Sequence, residues 1–208
     1  MKTTVLTKNQ NVSACILAGG AGKRMGGKDK GLIHLAGKPL ISHVFDRISA
    51  QVETVYVSAN RNLDQYKHFA KNVVRDEPHD FQGPLAGMLA ALKFIKTTYV
   101  AFVPCDCPFF PGDLVTRLLP GNSNCSETIR VACVNGRDQP VFAVIPTSFS
   151  ETLSDYLDKG GRKIINWYES HKAEKISFSN LADFDNLNNP EDFLEAEKRI
   201  ERSENRKN

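Results

Sequence analysis

The sequence lacks a long hydrophobic run. None of its apolar segments reaches the roughly 18 residues that a membrane-spanning helix requires, and no charged-then-apolar leader opens the chain. We therefore expect neither a transmembrane span nor a secretory signal, and we expect the protein in the cytoplasm without contact to a membrane.

Cysteine is scarce and shows no disulfide or metal-binding spacing. The five cysteines form no CxxC pair and mostly lie in apolar runs, which predicts reduced core residues. Cys105 and Cys107 form a CxC pair, but no third cysteine or histidine follows nearby to complete a zinc site. The five histidines show no metal spacing, and no GxSxG or comparable nucleophile motif is present. These absences argue against zinc chemistry and against a serine-type nucleophile.

A large excess of positive charge is also missing. The formal net charge is +3, and the densest basic stretch, residues 23–30, contains glycines in place of the aromatics that accompany basic residues in many nucleic-acid sites. Duplex binding would require a wide basic face. We therefore expect no nucleic acid as a partner and favour an anionic small molecule.

The length and composition fit one compact domain. A chain of 208 residues with 41% hydrophobic residues can bury a substantial core. Residues 1–11 are polar and irregular, so we predict a disordered N-terminal extension there, and residues 203–208 predict a charged tail. Residues 12–202 remain as the predicted single domain.

Short apolar runs alternate with longer amphipathic segments along the first half of the chain. The predicted strands are Ala14–Leu17, Thr54–Ser58, Asn72–Arg75 and Tyr99–Val103, and the predicted helices between them include Pro39–Ser49 and Pro84–Ile95. Nearly continuous apolar strands are typical of a parallel sheet that helices cover on both sides. This alternation predicts an α/β fold with three layers and a Rossmann-like, mostly parallel sheet.

The pattern changes after residue 128. Two β-rich runs, Ile129–Val134 and Pro140–Ile145, flank an Asn-Gly turn signal, which predicts an antiparallel hairpin at the sheet edge. The remaining segments predict three helices and a short strand, at Ser148–Leu157, Arg162–His171, Lys175–Phe178 and Pro190–Ile200.

A glycine-rich segment, Leu17–Lys30, leaves the end of the first strand. Five of its fourteen residues are glycine, and lysines and Arg24 are interspersed among them. Glycines let the backbone approach an anion so that successive N–H groups point at phosphate oxygens, while the basic side chains neutralise the charge. At the carboxyl edge of an open α/β sheet, such a loop lies where ligands bind. A phosphate-binding loop is therefore favoured over a plain surface turn.

Two better-known phosphate motifs do not fit this loop. Gly22–Lys28 matches GxxxxGK, but Asp29 follows in place of the Ser or Thr that a Walker loop offers to Mg²⁺. A GxGxxG match fails at Met25, and no acidic residue ends a second strand at the required distance. The loop is therefore neither a P-loop nor a nicotinamide site.

The first carboxylate after the buried strand Tyr99–Val103 is Asp106, in the stretch Pro-Cys-Asp-Cys-Pro. A hard oxygen ligand at this edge can hold Mg²⁺ between triphosphate oxygens while the ion keeps several waters. The alternative is an aspartate that only caps a turn between two prolines. We predict Asp106 as the metal ligand.

Four motifs in order and at characteristic spacing carry a family resemblance. They are LAGGxxxRMGxxDK after the first strand, SANR after the second, GPLAGM at the start of a helix, and PCDCP after a later strand. Together they resemble the bacterial molybdenum cofactor guanylyltransferases, from about Ala14 to about Phe193. The resemblance implies a nucleotidyltransferase in which the phosphate of molybdenum-molybdopterin attacks the α-phosphorus of GTP and expels pyrophosphate. It also implies transient contact with molybdenum cofactor delivery proteins or apoenzymes.

The resemblance assigns roles to individual positions. It implies catalytic roles for Lys30, Arg24 and Asp106, Mg²⁺ ligation by Asp106, nucleotide binding by Leu17, Ala18, Gly19, Gly20, Lys30, Asn60, Asp76, Gly83 and Asp106, and acceptor binding by Arg162, Asn186 and Asn188. A phosphate monoester is largely ionised at pH 7, so such an acceptor needs no general base.

Several alternatives stay open at this point. Asn60 also fits a cap of a strand-to-helix turn, and Asp76 also fits a residue that contacts only the neighbours of Arg75 or solvent. Asn186 and Asn188 fit the start of a helix rich in capping residues. The same loop and acid would serve a sister enzyme that uses CTP, or one with a sugar 1-phosphate acceptor. A GTP-binding adaptor without chemistry is a further alternative, which the retained Lys30 and Asp106 disfavour.

Overall fold

The fold is organised around a mixed β-sheet. The computed structural model describes residues 11–19, 29–75, 83–120 and 128–205. Within these ranges the strands are β1 Val12–Leu17, β2 His34–Leu35, β3 Lys38–Pro39, β4 Val55–Ser58, β5 Asn72–Val74, β6 Tyr99–Pro104, β7 Arg130–Val134, β8 Arg137–Pro146 and β9 Glu174–Phe178. The α-helices are α1 Leu40–Ser49, α2 Leu63–Lys67, α3 Pro84–Phe94, α4 Leu114–Leu118, α5 Ser150–Asp158, α6 Ile164–Ser170 and α7 Pro190–Asn205.

Seven strands form the main sheet in the order β5-β4-β1-β6-β8-β7-β9. The first four are mutually parallel, β8 runs antiparallel to β6 and β7, and β9 pairs parallel to β7. The predicted α/β class with a mostly parallel sheet and an antiparallel hairpin is confirmed. The hairpin does not form the edge itself, because β9 returns after α5 and α6 and satisfies the outer backbone groups of β7.

Two hairpins turn through paired left-handed residues. The predicted Asn-Gly signal joins β7 to β8, with φ of 49° at Asn135 and 76° at Gly136. A second two-residue turn at Ala36 (φ 48°) and Gly37 (φ 78°) joins β2 to β3 in a small separate sheet, which we did not predict. Two successive positive φ values are the geometry of the type I′ turns that favour tight hairpins.

Helices cover both faces of the main sheet, as predicted. One buried cluster packs α1 and α4 against one face, and another packs α3, α5 and α6 against the other. The central strand β6 contributes Ala101 and Val103 to the first cluster and Val100 and Phe102 to the second. This strand is therefore buried on both faces, which explains its continuous apolar sequence.

The last helix, α7, packs against the small β2–β3 sheet. Its Phe193 and Ala196 join Leu35 and Leu40 in a third buried cluster. The helix continues to Asn205, past the predicted end at Ile200. No helix in the described part of the chain is long and apolar enough to cross a membrane.

Two buried thiols and two buried tyrosine hydroxyls predict a loss of stability at alkaline pH. Burial raises the pKa of the Cys105 and Cys107 thiols above their ordinary 9.0, and that of the Tyr66 and Tyr168 hydroxyls above 10.0. The folded chain keeps these protons at pH values where the unfolded chain has released them, so stability is full below pH 9 and falls as the pH rises further. Each such group lowers the free energy of unfolding by about 1.4 kcal/mol per pH unit.

Denaturant unfolding at pH 8, 9, 10 and 11 measures this decline. Tyr168→Phe, which removes one of the four groups, is expected to give a shallower decline above pH 10. A free energy of unfolding that is constant from pH 8 to pH 11 would contradict the prediction.

Candidate active site

Backbone hydrogen bonds hold the carboxyl ends of four parallel strands side by side. The N–H of Ala18 donates to Ser58 O (2.8 Å), that of Ala59 to Val74 O (3.0 Å), and that of Cys105 to Leu17 O (3.1 Å). The residues that directly follow Ala18, Ala59 and Cys105 in sequence are Gly19, Asn60 and Asp106. These predicted site residues therefore all leave the sheet at the same edge.

The centre of this edge is the point where the strand order reverses. From β1 the chain proceeds to β4 and β5 on one side, and β6 then lies on the other side of β1. Ligands of open α/β sheets bind in the crevice outside such a reversal point. Leu17 is paired with Pro104 at this point, so the start of the glycine loop and Asp106 lie at the same edge of the sheet, as predicted.

Lys30 connects the loop to Asp106. Its Nζ donates to Asp106 Oδ2 at 2.8 Å and to Asn188 Oδ1 at 2.6 Å. The Lys30 and Asp106 side chains are 20% and 18% exposed, so the pair is shielded from water but open to a ligand. Charge-assisted hydrogen bonds of this length are stronger than neutral ones. Three residues that are 76 to 158 positions apart in sequence thus meet at one ammonium group.

The segment that carries Asn188 is anchored on the same side. The N–H of Leu187 donates to Asp106 O at 2.9 Å, and the Cys107 thiol donates to Asn186 Oδ1 at 2.8 Å. Burial raises the pKa of Cys107, which keeps the thiol protonated as a donor. We define the lysine–aspartate cluster as Lys30, Asp106, Cys107, Asn186 and Asn188. The sequence indicated only a packing role for Cys107, because its contact with Asn186 depends on tertiary structure.

The start of α7 is capped by residues other than Asn186 and Asn188. Asn189 Oδ1 accepts from the N–H of Asp192 at 2.9 Å, and Asp192 Oδ2 accepts from the N–H groups of Asn188 and Asn189 at 2.6 and 3.1 Å. This reciprocal arrangement is a capping box. The Asn188 side chain is therefore available to the lysine–aspartate cluster, and the purely capping alternative does not describe it.

A cavity of about 1100 Å³ opens beside this segment. Asn186 and Asn188 line it together with Phe109, Gln139, Leu181, Ala182, Phe184, Asp185, Leu187, Asn189, Glu191, Asp192, Glu195, Ala196, Arg199, Arg202 and Ser203. Its walls are thus the segment before α7, α7 itself, one residue of β8 and Phe109, which follows β6. The cavity adjoins the lysine–aspartate cluster and is large enough for an organic ligand.

The other predicted residues are less closely connected. Gly83 precedes α3 with a φ of 121°, which favours glycine, and no atom of the described residues lies within 4 Å of where a Cβ would be. Arg162 donates to the carbonyl oxygens of Leu157 and Gly161 at 2.8 and 2.7 Å, between α5 and α6, and is not among the residues that line the cavity. Gly20, Arg24 and Asp76 lie outside the described residues, so their predicted roles stay predictions.

Asp29, which we assigned no role from sequence, lies directly before Lys30 and is buried. Its carboxylate accepts from Tyr66 Oη at 2.5 Å and from Asn62 Nδ2 at 3.0 Å, and Arg61 Nε lies 3.6 Å from Oδ2. The DK pair in the loop motif was the sequence signal for this residue. Its hydrogen-bond partners could not be inferred from the sequence, because Asn62 and Tyr66 lie 33 and 37 positions further along the chain.

An open α/β sheet with a lysine and an acid in contact at its reversal point is an arrangement suited to binding phosphorylated nucleotides. Comparison with known proteins agrees with this class. The family model for MobA-like NTP transferase domains matches residues 14–173. The chain therefore belongs to the MobA-like NTP transferase family, and it is a nucleotidyltransferase.

Individual relatives are similar over nearly their whole length. The chain is 39% identical over 195 residues to a molybdenum cofactor guanylyltransferase of Shewanella piezotolerans, covering 93% of this chain and 96% of the relative. It is 41% identical over 201 residues to one of Cupriavidus metallidurans, covering 93% and 99%. Among solved structures, molybdopterin-guanine dinucleotide biosynthesis protein A from Archaeoglobus fulgidus has the same fold, with a TM-score of 0.72, 22% identity, and coverage of 91% and 99%.

Proposed function

We propose that this chain transfers GMP from GTP to the phosphate of molybdenum-molybdopterin, which yields pyrophosphate and the guanine dinucleotide form of the cofactor. The observation that carries the proposal is the contact of Lys30 with both Asp106 and Asn188 at the strand reversal point. This contact joins the end of the glycine loop to the segment beside the large cavity. Relatives that are about 40% identical bear the name molybdenum cofactor guanylyltransferase and supply the choice of nucleotide and acceptor.

The nucleotide would lie along the carboxyl edge of the sheet. We assign the Leu17–Gly19 backbone and Lys30 to the phosphates, with Gly20 and Arg24 as further loop contacts. Asn60 and Asp76 would contact the guanosine portion, and the lack of a side chain at Gly83 would let a purine lie close to the backbone. An ionised aspartate only accepts hydrogen bonds, which suits the N1–H and N2–H₂ donors of guanine.

The acceptor would occupy the cavity beside Asn186 and Asn188. From there its phosphate oxygen attacks the α-phosphorus of GTP, a new P–O bond forms, and the bond to the bridging oxygen breaks. The electron pair of that bond leaves with pyrophosphate. Because the attacking phosphate is already ionised, the protein contributes positioning and charge neutralisation and needs no base. Arg162 stays a proposed acceptor contact that would have to act from outside this cavity.

Mg²⁺ is the cofactor that the donor set fits best. Oxygen ligands suit this ion, which is commonly held by one or two carboxylates together with substrate phosphates and waters. Asp106 supplies a partly exposed carboxylate beside the amide oxygens of Asn186 and Asn188. When bound there, Mg²⁺ would neutralise phosphate charge.

The choice of nucleotide tests the proposal. We expect acceptor-dependent pyrophosphate release with GTP and Mg²⁺, and release at background level with CTP, UTP or ATP at the same concentration. The measurement is a coupled pyrophosphate assay with molybdenum-loaded molybdopterin, and omission of the acceptor is its control. Release with CTP and none with GTP would overturn the guanylyl assignment and would leave the nucleotidyltransferase class intact.

We further propose that the reaction takes place in the cytoplasm, where GTP is available, with transient contact to cofactor delivery proteins or apoenzymes that receive the product. The four cysteines within the described ranges, Cys15, Cys105, Cys107 and Cys133, are free and buried, which suits a reducing compartment.

A further inference from the structure

Asp29 is the one acidic or basic side chain that is buried among the described residues, and it is 8% exposed. A buried carboxylate is stable only when hydrogen bonds or counter-charges replace its water. Here Tyr66 and Asn62 donate to its two oxygens, and the Arg61 guanidinium supplies positive charge nearby. Two hydrogen-bond donors and one guanidinium thus converge on this one carboxylate.

All three partners follow β4 in the chain. Asp29 itself belongs to the glycine loop and precedes Lys30, whereas Arg61 and Asn62 follow Asn60. The carboxylate therefore ties the segment proposed to contact phosphates to the segment proposed to contact guanosine. These two segments are about 30 positions apart in sequence, as the separation of 33 residues between Asp29 and Asn62 shows.

The backbone around Asp29 is closely packed and hydrogen-bonded. Tyr66 is fully buried, and a Cβ added at Gly31 would lie 2.6 Å from its hydroxyl. The loop can pass this close to Tyr66 only because Gly31 has no side chain. Asp29 O also accepts from the N–H of Leu32 at 3.1 Å and closes a single helical turn over Lys30–Leu32. The backbone of Lys30 is thus held on both sides.

We infer that Asp29 is a positioning residue that fixes Lys30 against the Asn60–Asn62 segment, so that the phosphate and guanosine contacts bind GTP together. This inference rests on the proposed role of Lys30 in binding the triphosphate. Asp29 acts through the backbone and through Tyr66, and does not itself contact the nucleotide. Asparagine cannot replace it, because a carboxylate accepts with both oxygens and an amide accepts with only one.

A double-mutant cycle on GTP binding tests the inference. The proteins are the parent, Asp29→Asn, Lys30→Ala and the double variant, and titration calorimetry with GTP and Mg²⁺ measures the affinity of each. Asp29→Asn is expected to weaken binding about tenfold in the parent and less than about twofold in the Lys30→Ala background. Equal weakening in both backgrounds, or no weakening in the parent, overturns the inference.

Tyr66→Phe provides a second route to the same answer if Asp29→Asn does not fold. It keeps the ring and removes the donor, so we expect weaker GTP binding that likewise depends on Lys30. The matched control is Tyr168→Phe, because Tyr168 is also buried and donates one hydrogen bond, to Pro140 O at 2.8 Å. Tyr168→Phe is expected to lower the unfolding midpoint to a similar extent and to leave GTP affinity unchanged.

The cycle also separates this inference from the proposed function. If Lys30→Ala binds GTP as tightly as the parent, the proposed phosphate contact fails, and the inference fails with it. If Lys30→Ala weakens binding but Asp29→Asn weakens it equally in both backgrounds, the proposed function stands and only the positioning role is overturned.

Discussion

Asp106→Ala is expected to lower the rate of acceptor-dependent pyrophosphate release by about 10²- to 10³-fold. The carboxylate lies at the reversal point of the sheet, where it is 18% exposed and contacts Lys30. If it holds Mg²⁺ on the triphosphate, its removal withdraws charge neutralisation where negative charge accumulates during the transfer. Binding of GTP should suffer much less than turnover, because Lys30 is released from its ion pair and stays available to the phosphates.

A matched variant controls for the loss of an ion-paired aspartate. Asp138 pairs with Lys175 at 2.9 Å, and its side chain is 14% exposed, close to the 18% of Asp106, while Lys175 is more exposed than Lys30. Asp138→Ala should therefore reproduce the structural cost while leaving turnover near the parent level. Pyrophosphate release by Asp106→Ala at the parent rate, with saturating GTP and acceptor, would exclude a metal-ligand role.

The sheet and the main helices could be predicted because their sequence patterns are local. Strand β6 is apolar at successive positions since both of its faces are covered, and Pro84 occupies the first turn of α3 as its fixed φ allows. The Asn135–Gly136 turn followed from the positive φ that both positions require. Each of these features depends on a few residues that are neighbours in sequence, so one sequence is enough to predict it.

The position of the hairpin within the sheet could not be predicted from local sequence patterns. Whether β7 is an edge strand depends on the return of β9, which pairs with it from about 40 positions further along the chain, as the pairing of Arg130 with Glu174 shows. No local pattern encodes such a pairing. The end of α7 was likewise not predicted, because residues 201–205 are exposed and no apolar pattern marks the continuation of the helix past Ile200.

In the candidate site, too, some features could be predicted from the sequence and others could not. The residues that leave the strand ends, such as Gly19 and Asp106, could be predicted because the carboxyl ends of parallel strands share one edge. The contacts that give the site its form could not. Lys30 meets Asn188 across 158 positions, and Asp29 accepts from Tyr66 across 37. A sequence motif indicates which residues matter, but it does not indicate which side chains they contact.

Lys30→Ala is expected to weaken GTP binding by about 30- to 150-fold, as the loss of a charged hydrogen-bond donor of about 2–3 kcal/mol implies. Two effects act in the same direction. The triphosphate loses a cation, and Asp106 loses the ammonium that lies 2.8 Å away, so that an unpaired carboxylate would face the phosphates. Raising Mg²⁺ should restore part of the affinity, since the ion can neutralise that carboxylate in place of the lysine.

The salt dependence of binding distinguishes this electrostatic role from a general loss of structure. Calorimetric titration with GTP at low and high ionic strength should show a steeper loss of affinity for the parent than for Lys30→Ala, because the variant has one fewer charge for salt to screen. Lys175→Ala, which removes the lysine of the ion pair with Asp138, should keep both the parent affinity and its salt dependence. If Lys30→Ala keeps the parent's salt dependence while losing affinity, the lysine acts through packing, and the phosphate contact has to be assigned to another cation of the loop.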